Sequence, residues 1–189
     1  MTPNDILQAT QLTHVRELKT ENARLRAELA QARSELDAVR SHFAHALAAA
    51  RDAEALPPDG RLLIVDGWNA LLGSASLLTQ EEKRRTPSEK EARLAALAQA
   101  WLAAHPQDRA WIVFDGARVD GRTDGRLRLT FTGGSGAHRA DRFVCDYLRL
   151  RRFAGATHNI LVATEDKDFR RDAQSLGATV VPVSILLEA

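Results

Sequence analysis

Apolar and polar residues are distributed in two different ways along this chain, and the change falls at the sequence ALPPDGR. Residues 4–53 contain neither Gly nor Pro and repeat apolar residues at helical spacing, whereas the later residues form short apolar runs separated by amphipathic stretches. Two adjacent prolines followed by Asp-Gly break a helix. The pattern therefore predicts an N-terminal coiled-coil helix over 1–55, a linker over 56–60 and a globular domain over 61–189.

The first segment carries a heptad repeat whose inner positions are mainly apolar. One register places at the a and d positions Val15, Leu18, Asn22, Leu25, Leu29, Ala32, Leu36, Val39, Phe43 and Ala46. Glutamates at g then face arginines at e in a partner chain, which is typical of a parallel dimer, and an Asn at an a position fixes register and two-strandedness. We predict a homodimer formed through Leu18, Asn22, Leu25, Leu29 and Leu36. A long helix folded back on its own domain is the alternative.

The second segment alternates predicted strands with predicted helices. Continuous apolar runs, which predict buried strands, occupy residues 61–66, 109–115, 159–166 and 179–183. An alternating run over 126–132 predicts a half-exposed strand. Amphipathic runs, which predict helices, occupy residues 68–80, 87–105, 137–153 and 168–177, and Ser88 with Glu91 predicts a capping box in the second. Buried strands separated by helices predict a three-layer α/β/α sandwich with a mainly parallel sheet.

Composition narrows the class of protein without identifying it. The chain has 189 residues, of which 44% are hydrophobic and 27% charged, so it can bury a core. Its net charge of +1 gives no overall nucleic-acid signature, although the arginines cluster. The single cysteine, Cys145, excludes an internal disulfide and a cysteine-based zinc site. We expect no signal peptide and no membrane span, and a reducing, cytoplasmic location.

Carboxylates follow three of the predicted strands, as Asp66, Asp115 and the pair Glu165-Asp166. The carboxyl ends of parallel strands meet at one edge of the sheet, where ligands bind in open α/β folds. Asp141 lies on the helix after the third of the five predicted strands, and Asp168 begins the helix after Asp166.

Gathering these acids at one edge would raise their pKa values by mutual repulsion unless a counter-charge is present. Oxygen ligands without cysteine favour Mg²⁺ or Mn²⁺, and carboxylate-held ions of this kind serve phosphodiester hydrolysis.

Each acid taken alone has a plainer explanation, because Asp-Gly at positions 66–67 and 115–116 is ordinary turn chemistry. It is the repetition at three strand ends that favours a site. A haloacid-dehalogenase-like phosphohydrolase would need a second Asp two residues after Asp66, where the chain has Trp68. That residue argues against this class of enzyme.

Four motifs, LLIVDGWN, WIVFDG, HRADRFVCDYL and ILVATEDKDF, resemble in this order the NYN domains of the PIN-like superfamily. The resemblance is greatest to the YacP-type ribonuclease group and covers about residues 61–185. It implies a PIN-like sandwich and metal-dependent cleavage of RNA. By position, it implies the catalytic residues Asp66, Asn69, Asp141 and Asp166. It further implies a metal site formed by Asp66, Asp115, Asp141, Asp166 and Asp168.

The surrounding sequence suits a polyanion, because arginine forks bind phosphates. The candidate nucleic-acid-binding residues are Arg118, Arg122, Arg126 and Arg139. A solvated loop is the alternative, since Asp120 and Asp124 offset part of this charge. The sequence therefore predicts a metal-dependent endoribonuclease, dimerised by its N-terminal helix and acting on RNA. The alternative function is a catalytically weak RNA-binding or scaffold module with a PIN-like fold.

Overall fold

The structure is a computed structural model that describes residues 14–33, 36, 59–74, 76–116, 118, 121–133, 138–153 and 159–188. The chain divides into two compact units, Met1–Arg40 and Ser41–Ala189. Positions 56–58 of the predicted linker and the heptad positions Val39, Phe43 and Ala46 lie outside the described residues. Within the described ranges, no helix is both long enough and apolar enough to cross a membrane.

The first unit contains a helix, α1, over residues 14–33. Its apolar heptad side chains, with that of Leu36, are between 46% and 55% exposed: Val15, Leu18, Leu25, Leu29 and Leu36. Arg24 pairs within the helix with Glu21 at 2.7 Å and with Glu28 at 3.7 Å. The predicted helix is confirmed over these residues, while its pairing with a second chain stays a prediction.

The second unit is built on a six-stranded sheet with the order β3-β4-β2-β1-β5-β6. The strands are β1 (Leu62–Asp66), β2 (Arg109–Phe114), β3 (Gly121–Asp124), β4 (Leu127–Phe131), β5 (Ile160–Ala163) and β6 (Thr179–Val181). All neighbouring pairs are parallel except β3 and β4, which form an antiparallel hairpin. The predicted mainly parallel sheet is confirmed.

Helices cover both faces of this sheet. They are α2 (Gly67–Gly73), α3 (Pro87–Ala104), α4 (Arg139–Phe153) and α5 (Lys167–Ser175), with short 3₁₀ helices at Glu82–Arg84 and Val183–Leu187. In β1, Leu63 and Val65 pack in the cluster that includes α2 and α3, whereas Leu62 and Ile64 pack in the cluster that includes α4 and α5. Alternate side chains of one strand therefore enter two cores, which confirms the three-layer α/β/α sandwich.

Three local predictions are wrong. The helix predicted over residues 68–80 ends at Gly73, and the other two errors have identifiable reasons. The capping box of α3 uses Thr86 and Glu89, not Ser88 and Glu91: the Glu89 N–H donates to Thr86 Oγ1 at 3.4 Å, and the Thr86 N–H donates to the Glu89 carboxylate at 2.8 Å. Pro87 occupies the first helical position, where its missing N–H costs nothing, so the residue before it is the cap.

The strand predicted as half-exposed, β4, is largely buried. It is an inner strand because β3, which the apolar pattern did not predict, pairs along its outer edge. Its Thr130 hydroxyl accepts a hydrogen bond of 2.9 Å from Trp111 Nε1 in the interior. Thr130, a polar residue of the alternating pattern, is therefore buried together with its hydrogen-bond partner.

Candidate active site

An open cavity of about 420 Å³ lies at the carboxyl ends of the central strands. Its lining includes every residue predicted as catalytic, and consists of Asp66, Trp68, Asn69, Leu72, Gly73, Asp115, His138, Asp141 and Asp166. The acids come from the ends of two strands and the beginnings of two helices. Parallel strands deliver the acids to one edge, as expected from their positions in the chain.

Asp66 is the most buried acid of the cavity, with 6% of its surface exposed. It ends β1 and caps α2, and its carboxylate accepts a hydrogen bond from the Asn69 N–H at 3.3 Å. Burial chiefly, and then the neighbouring carboxylate of Asp141, raises the pKa of Asp66 to about 8. A positive charge is therefore favourable beside Asp66.

Asp115 directly follows β2. Its side chain links the end of β2 to the start of α4 through a hydrogen bond. Its carboxylate accepts hydrogen bonds from the Ala140 N–H and, at 3.4 Å, from the Thr132 hydroxyl. Burial raises the pKa of Asp115, and the charge of Asp141 adds to the effect, although these two hydrogen bonds and the charge of Arg139 oppose it. Asp115 is therefore an anchored acid in a setting that disfavours its negative charge.

Asp141 contacts a residue that the sequence reasoning missed. His138 precedes α4 with a φ of 62°, which is uncommon for a residue other than glycine, and its Nδ1 lies 3.0 Å from Asp141 Oδ2. The signal available was its spacing, because a residue three positions before an acid at a helix start faces the same side. His138 thus helps to orient the Asp141 carboxylate.

Asp166 and Asp168 have different surroundings although they are two residues apart. Asp166 lines the cavity and caps α5, accepting hydrogen bonds from the N–H groups of Asp168 at 2.8 Å and Phe169 at 2.9 Å. Asp168 does not line this cavity: its side chain is 84% exposed and pairs with Arg171 at 3.2 Å. The structure therefore brings together four of the five predicted metal ligands.

The turn that carries Asp66 packs tightly against aromatic side chains. Trp68 donates its indole N–H to the carbonyl of Asp115 at 2.7 Å and meets Phe114 edge to face, with ring centroids 5.3 Å apart. A Cβ added at Gly67 would lie 2.4 Å from two carbon atoms of the Phe114 ring. Only glycine fits at this position, so the backbone between the two acids is held by close packing.

We expect Gly67→Ala to destabilise the protein by about 1–3 kcal/mol or more, since an overpacked core forces side chains out of their rotamers. Phe114 must move, and with it the turn that presents Asp66. The temperature of thermal unfolding should fall. Gly73→Ala, in the same helix, is the matched control: its Cβ meets the Asn69 amide oxygen at 3.1 Å, a side-chain atom that can shift. Equal stability of the two variants would contradict this account.

The predicted RNA-binding arginines are scattered. Arg139 lies beside Asp115, and Arg118 stacks on the Phe131 ring at 3.5 Å while pairing with Glu91. Arg122 lies on the exposed edge strand β3. Arg126 precedes β4 at the amino ends of the parallel strands, whereas the acids lie at their carboxyl ends. Its guanidinium donates hydrogen bonds to the backbone carbonyls of Leu102, His105 and Asp108. Arg126 therefore caps the carboxyl end of α3.

The donor set of the cavity suits a hard divalent cation, because its charged ligands are all carboxylates and the pKa values of two of them are raised. Within the described part of the chain, however, no three His, Cys, Asp or Glu side chains are grouped closely enough to hold an ion. The chemistry fits Mg²⁺ or Mn²⁺. The carboxylates would have to draw together around the ion.

Solved structures similar to this chain are those of Rae1 (YacP) from Bacillus subtilis. A mutant form aligns with a TM-score of 0.49 and 23% sequence identity, covering 68% of this chain and 73% of the other. A second structure aligns with a TM-score of 0.44 and 25% identity, covering 67% and 71%. These structures are of the group that the sequence motifs resemble. No protein-family model and no curated protein matches the chain.

Proposed function

We propose that this chain is a metal-dependent endoribonuclease that hydrolyses RNA phosphodiester bonds with Mg²⁺ or Mn²⁺. One observation carries the proposal: Asp66 and Asp115, whose pKa values are raised by burial and by Asp141, line a single open cavity with Asp141 and Asp166. Crowded acids at an accessible strand edge are costly to maintain and are typical of functional sites. A divalent cation is the counter-charge that removes this cost.

The residues that line the cavity would have different roles in the reaction. Asp66, Asp115, Asp141 and Asp166 would hold the cation, which when bound polarises the phosphoryl group and activates water. Asn69 lines the same cavity and can donate from its side-chain amide to a substrate phosphate. His138 keeps the Asp141 carboxylate oriented. Asp168 is left out of the ligand set because it is exposed and paired with Arg171.

The test of this proposal is turnover of a labelled RNA by the full chain. We expect cleavage within the strand in Mn²⁺ or Mg²⁺ and none in EDTA. A DNA strand of the same sequence measures the preference for RNA. Cleavage that persists in EDTA would reject the metal mechanism, and absence of cleavage in either metal would reject the enzyme.

A second candidate, the catalytically weak RNA-binding module, is favoured by one observation. The described side chains do not form a ready-made group of three metal ligands. If that arrangement persists with RNA bound, the chain binds without cleaving. Tight RNA binding that is independent of metal, with no turnover, would establish this alternative in place of the first.

We further propose that α1 pairs with a second copy of itself as a parallel coiled coil. Its apolar stripe is about half exposed in the single chain, and burying such a stripe is what drives helix pairing. The Asn22 side chains would hydrogen-bond across the seam. An in-register parallel pair is the arrangement that lets both side chains find this partner.

For this dimer we expect Leu25→Glu to yield a monomer, because it buries a like-charge pair at the seam, and Asn22→Ile to admit higher oligomers. Sedimentation equilibrium of the full-length variants measures both. Gln31→Glu adds the same charge to an exposed helix position outside the a and d seam and should leave the dimer intact. A monomeric unsubstituted chain would remove the coiled coil and leave a helix for another role.

A further inference from the structure

A second groove, of about 410 Å³, runs between α4 and α5 and joins the acidic cavity. The two share three lining residues, His138, Asp141 and Asp166. Beyond the shared part, the groove is lined by Arg142, Cys145 and Arg149 of α4 and by Asp168, Phe169, Arg171 and Asp172 of α5. The two acids of α5 pair with Arg171, so the cations of α4 face a groove whose remaining charges are matched. An RNA strand with one phosphate at the acids can therefore continue along the protein surface into this groove.

The arginines of the groove differ in how firmly they are held. Arg171 is engaged by Asp168 and Asp172. Arg149 pairs with half-exposed Asp146, three residues before it on the same helix. Such exposed pairs contribute little and exchange readily for another anion. Among the described residues, the exposed guanidinium of Arg142 has neither a hydrogen bond nor an ion pair. Two cations on α4 are thus available to phosphates.

The far end of α4 presents an aromatic ring to solvent. Phe153 is 96% exposed and Leu150, three residues before it, is 47% exposed. Arg142, Arg149 and Phe153 are separated by seven and four residues, so they lie on one face of the helix. At 1.5 Å per residue, this stripe extends about 16 Å from Arg142 to Phe153. It begins next to Asp141 of the acidic cavity and ends at an exposed ring.

We propose that this α4 stripe, formed by Arg142, Arg149 and Phe153, is the path of the single-stranded RNA that extends from the scissile bond. The two arginines contact consecutive or near-consecutive phosphates, and a base stacks on Phe153. The inference rests on the proposed function and adds the direction in which the substrate leaves the acids. It also replaces the dispersed arginines of β3 and its flanks as the main binding surface.

The chemistry of the stripe selects a single strand. Guanidinium groups bind phosphates through paired hydrogen bonds, and an exposed ring accepts any base because every base has a flat apolar face. In a duplex the bases are stacked on each other and do not reach a ring on the surface. A partner protein would use the apolar end, Leu150 and Phe153, without needing the two arginines.

The test is the affinity of full-length variants for a labelled oligouridine of about 12 nucleotides, a length within the site sizes of single-strand binders. All variants carry Asp66→Asn, so that bound RNA stays intact. Replacing both Arg142 and Arg149 by Gln should weaken binding about tenfold and reduce the slope of log affinity against log salt by about 1.4, since each phosphate contact on a single strand contributes about 0.7.

Phe153→Ala should also weaken binding about tenfold, the loss expected for one stacked base, but should leave the salt slope unchanged. Phe153→Tyr should retain affinity because the ring remains. The matched charge control is Arg84→Gln with Arg85→Gln, two exposed arginines that line neither cavity. A duplex of the same length should show no dependence on Phe153.

Unchanged affinity and salt slope in the double arginine variant would overturn the proposal. So would a Phe153→Ala variant that binds RNA normally but loses self-association or a protein contact. Failure of the proposed function is a separate result, namely no metal-dependent turnover by the chain with Asp66 restored. Binding along the stripe can therefore be present or absent independently of catalysis.

Discussion

Asp66→Asn should abolish metal-dependent RNA cleavage while the protein remains folded. Asp66 is the most buried acid of the cavity, it caps the helix that carries Asn69, and the charge of Asp141 helps to raise its pKa. Asparagine keeps the shape of the side chain and an oxygen that can still cap the helix, but it removes the negative charge with which Asp66 would bind the proposed cation. Loss of an outer partner of a metal ligand costs up to about a hundredfold in affinity or activity, so loss of a ligand should cost more.

The matched control for this prediction is Asp168→Asn. It makes the same chemical change in an acid that was predicted as a ligand from the sequence but is exposed and outside the cavity. Single-turnover cleavage of labelled RNA, with circular dichroism as a check on folding, separates the two variants. Full activity of Asp66→Asn would refute the acidic centre. Equal, severe losses in both variants would return Asp168 to the ligand set.

The second large effect is on stability as a function of pH when no divalent cation is present. The pKa of Asp66 is raised from 3.8 to about 8, chiefly by burial. Because the folded protein holds this proton more tightly than the unfolded chain does, the free energy of unfolding falls as the pH rises between these two values. Each pKa unit corresponds to about 1.4 kcal/mol, so the loss amounts to a few kcal/mol.

Melting temperatures measured in EDTA from about pH 4 to pH 8 test this expectation against the linkage relation. The wild-type protein should lose stability across the range, whereas Asp66→Asn, which carries no charge at this position, should lose less and exceed the wild type near pH 8. Asp168→Asn should follow the wild type because its side chain is exposed. A wild-type profile that rises through this window would contradict the raised pKa.

Adding Mn²⁺ near pH 8 should make the wild-type protein more stable than Asp66→Asn. A cation that binds only the folded state stabilises it by about 2.7 kcal/mol at a concentration one hundred times the dissociation constant. The wild type should gain this stability, and Asp66→Asn should not. Equal gains in both proteins would place the metal elsewhere.

The apolar pattern was sufficient to predict the parallel core of the sheet. Val, Ile and Leu run continuously through β1, β2 and β5 because both faces of these strands are covered by helices. It was insufficient for β3, whose residues are all exposed, since an edge strand with no buried face leaves no apolar signal. By pairing with β4 in a hairpin, β3 made β4 an inner strand instead of the half-exposed strand that was expected.

The sequence also placed four acids at one edge, and this is the part of the site that depends on chain order alone. An acid at or shortly after the end of a parallel strand lies at this edge, which is why Asp66, Asp115 and Asp166 were predictable. The fate of Asp168 was not, because whether a first-turn acid points into the cavity or toward Arg171 depends on the orientation of α5.

The sequence by itself determined the layers of this protein and the strand ends that carry charge, because strand and helix periods are local properties of the chain. Only the tertiary structure decided which side chains those charges meet. It brought His138 to Asp141, committed Arg126 to the end of α3, and left Arg142 without a partner among the described residues. The contacts of Arg126 join residues distant in the chain, which no local pattern encodes. The contact of His138 with Asp141 depends on the backbone angle of His138 as well as on its spacing.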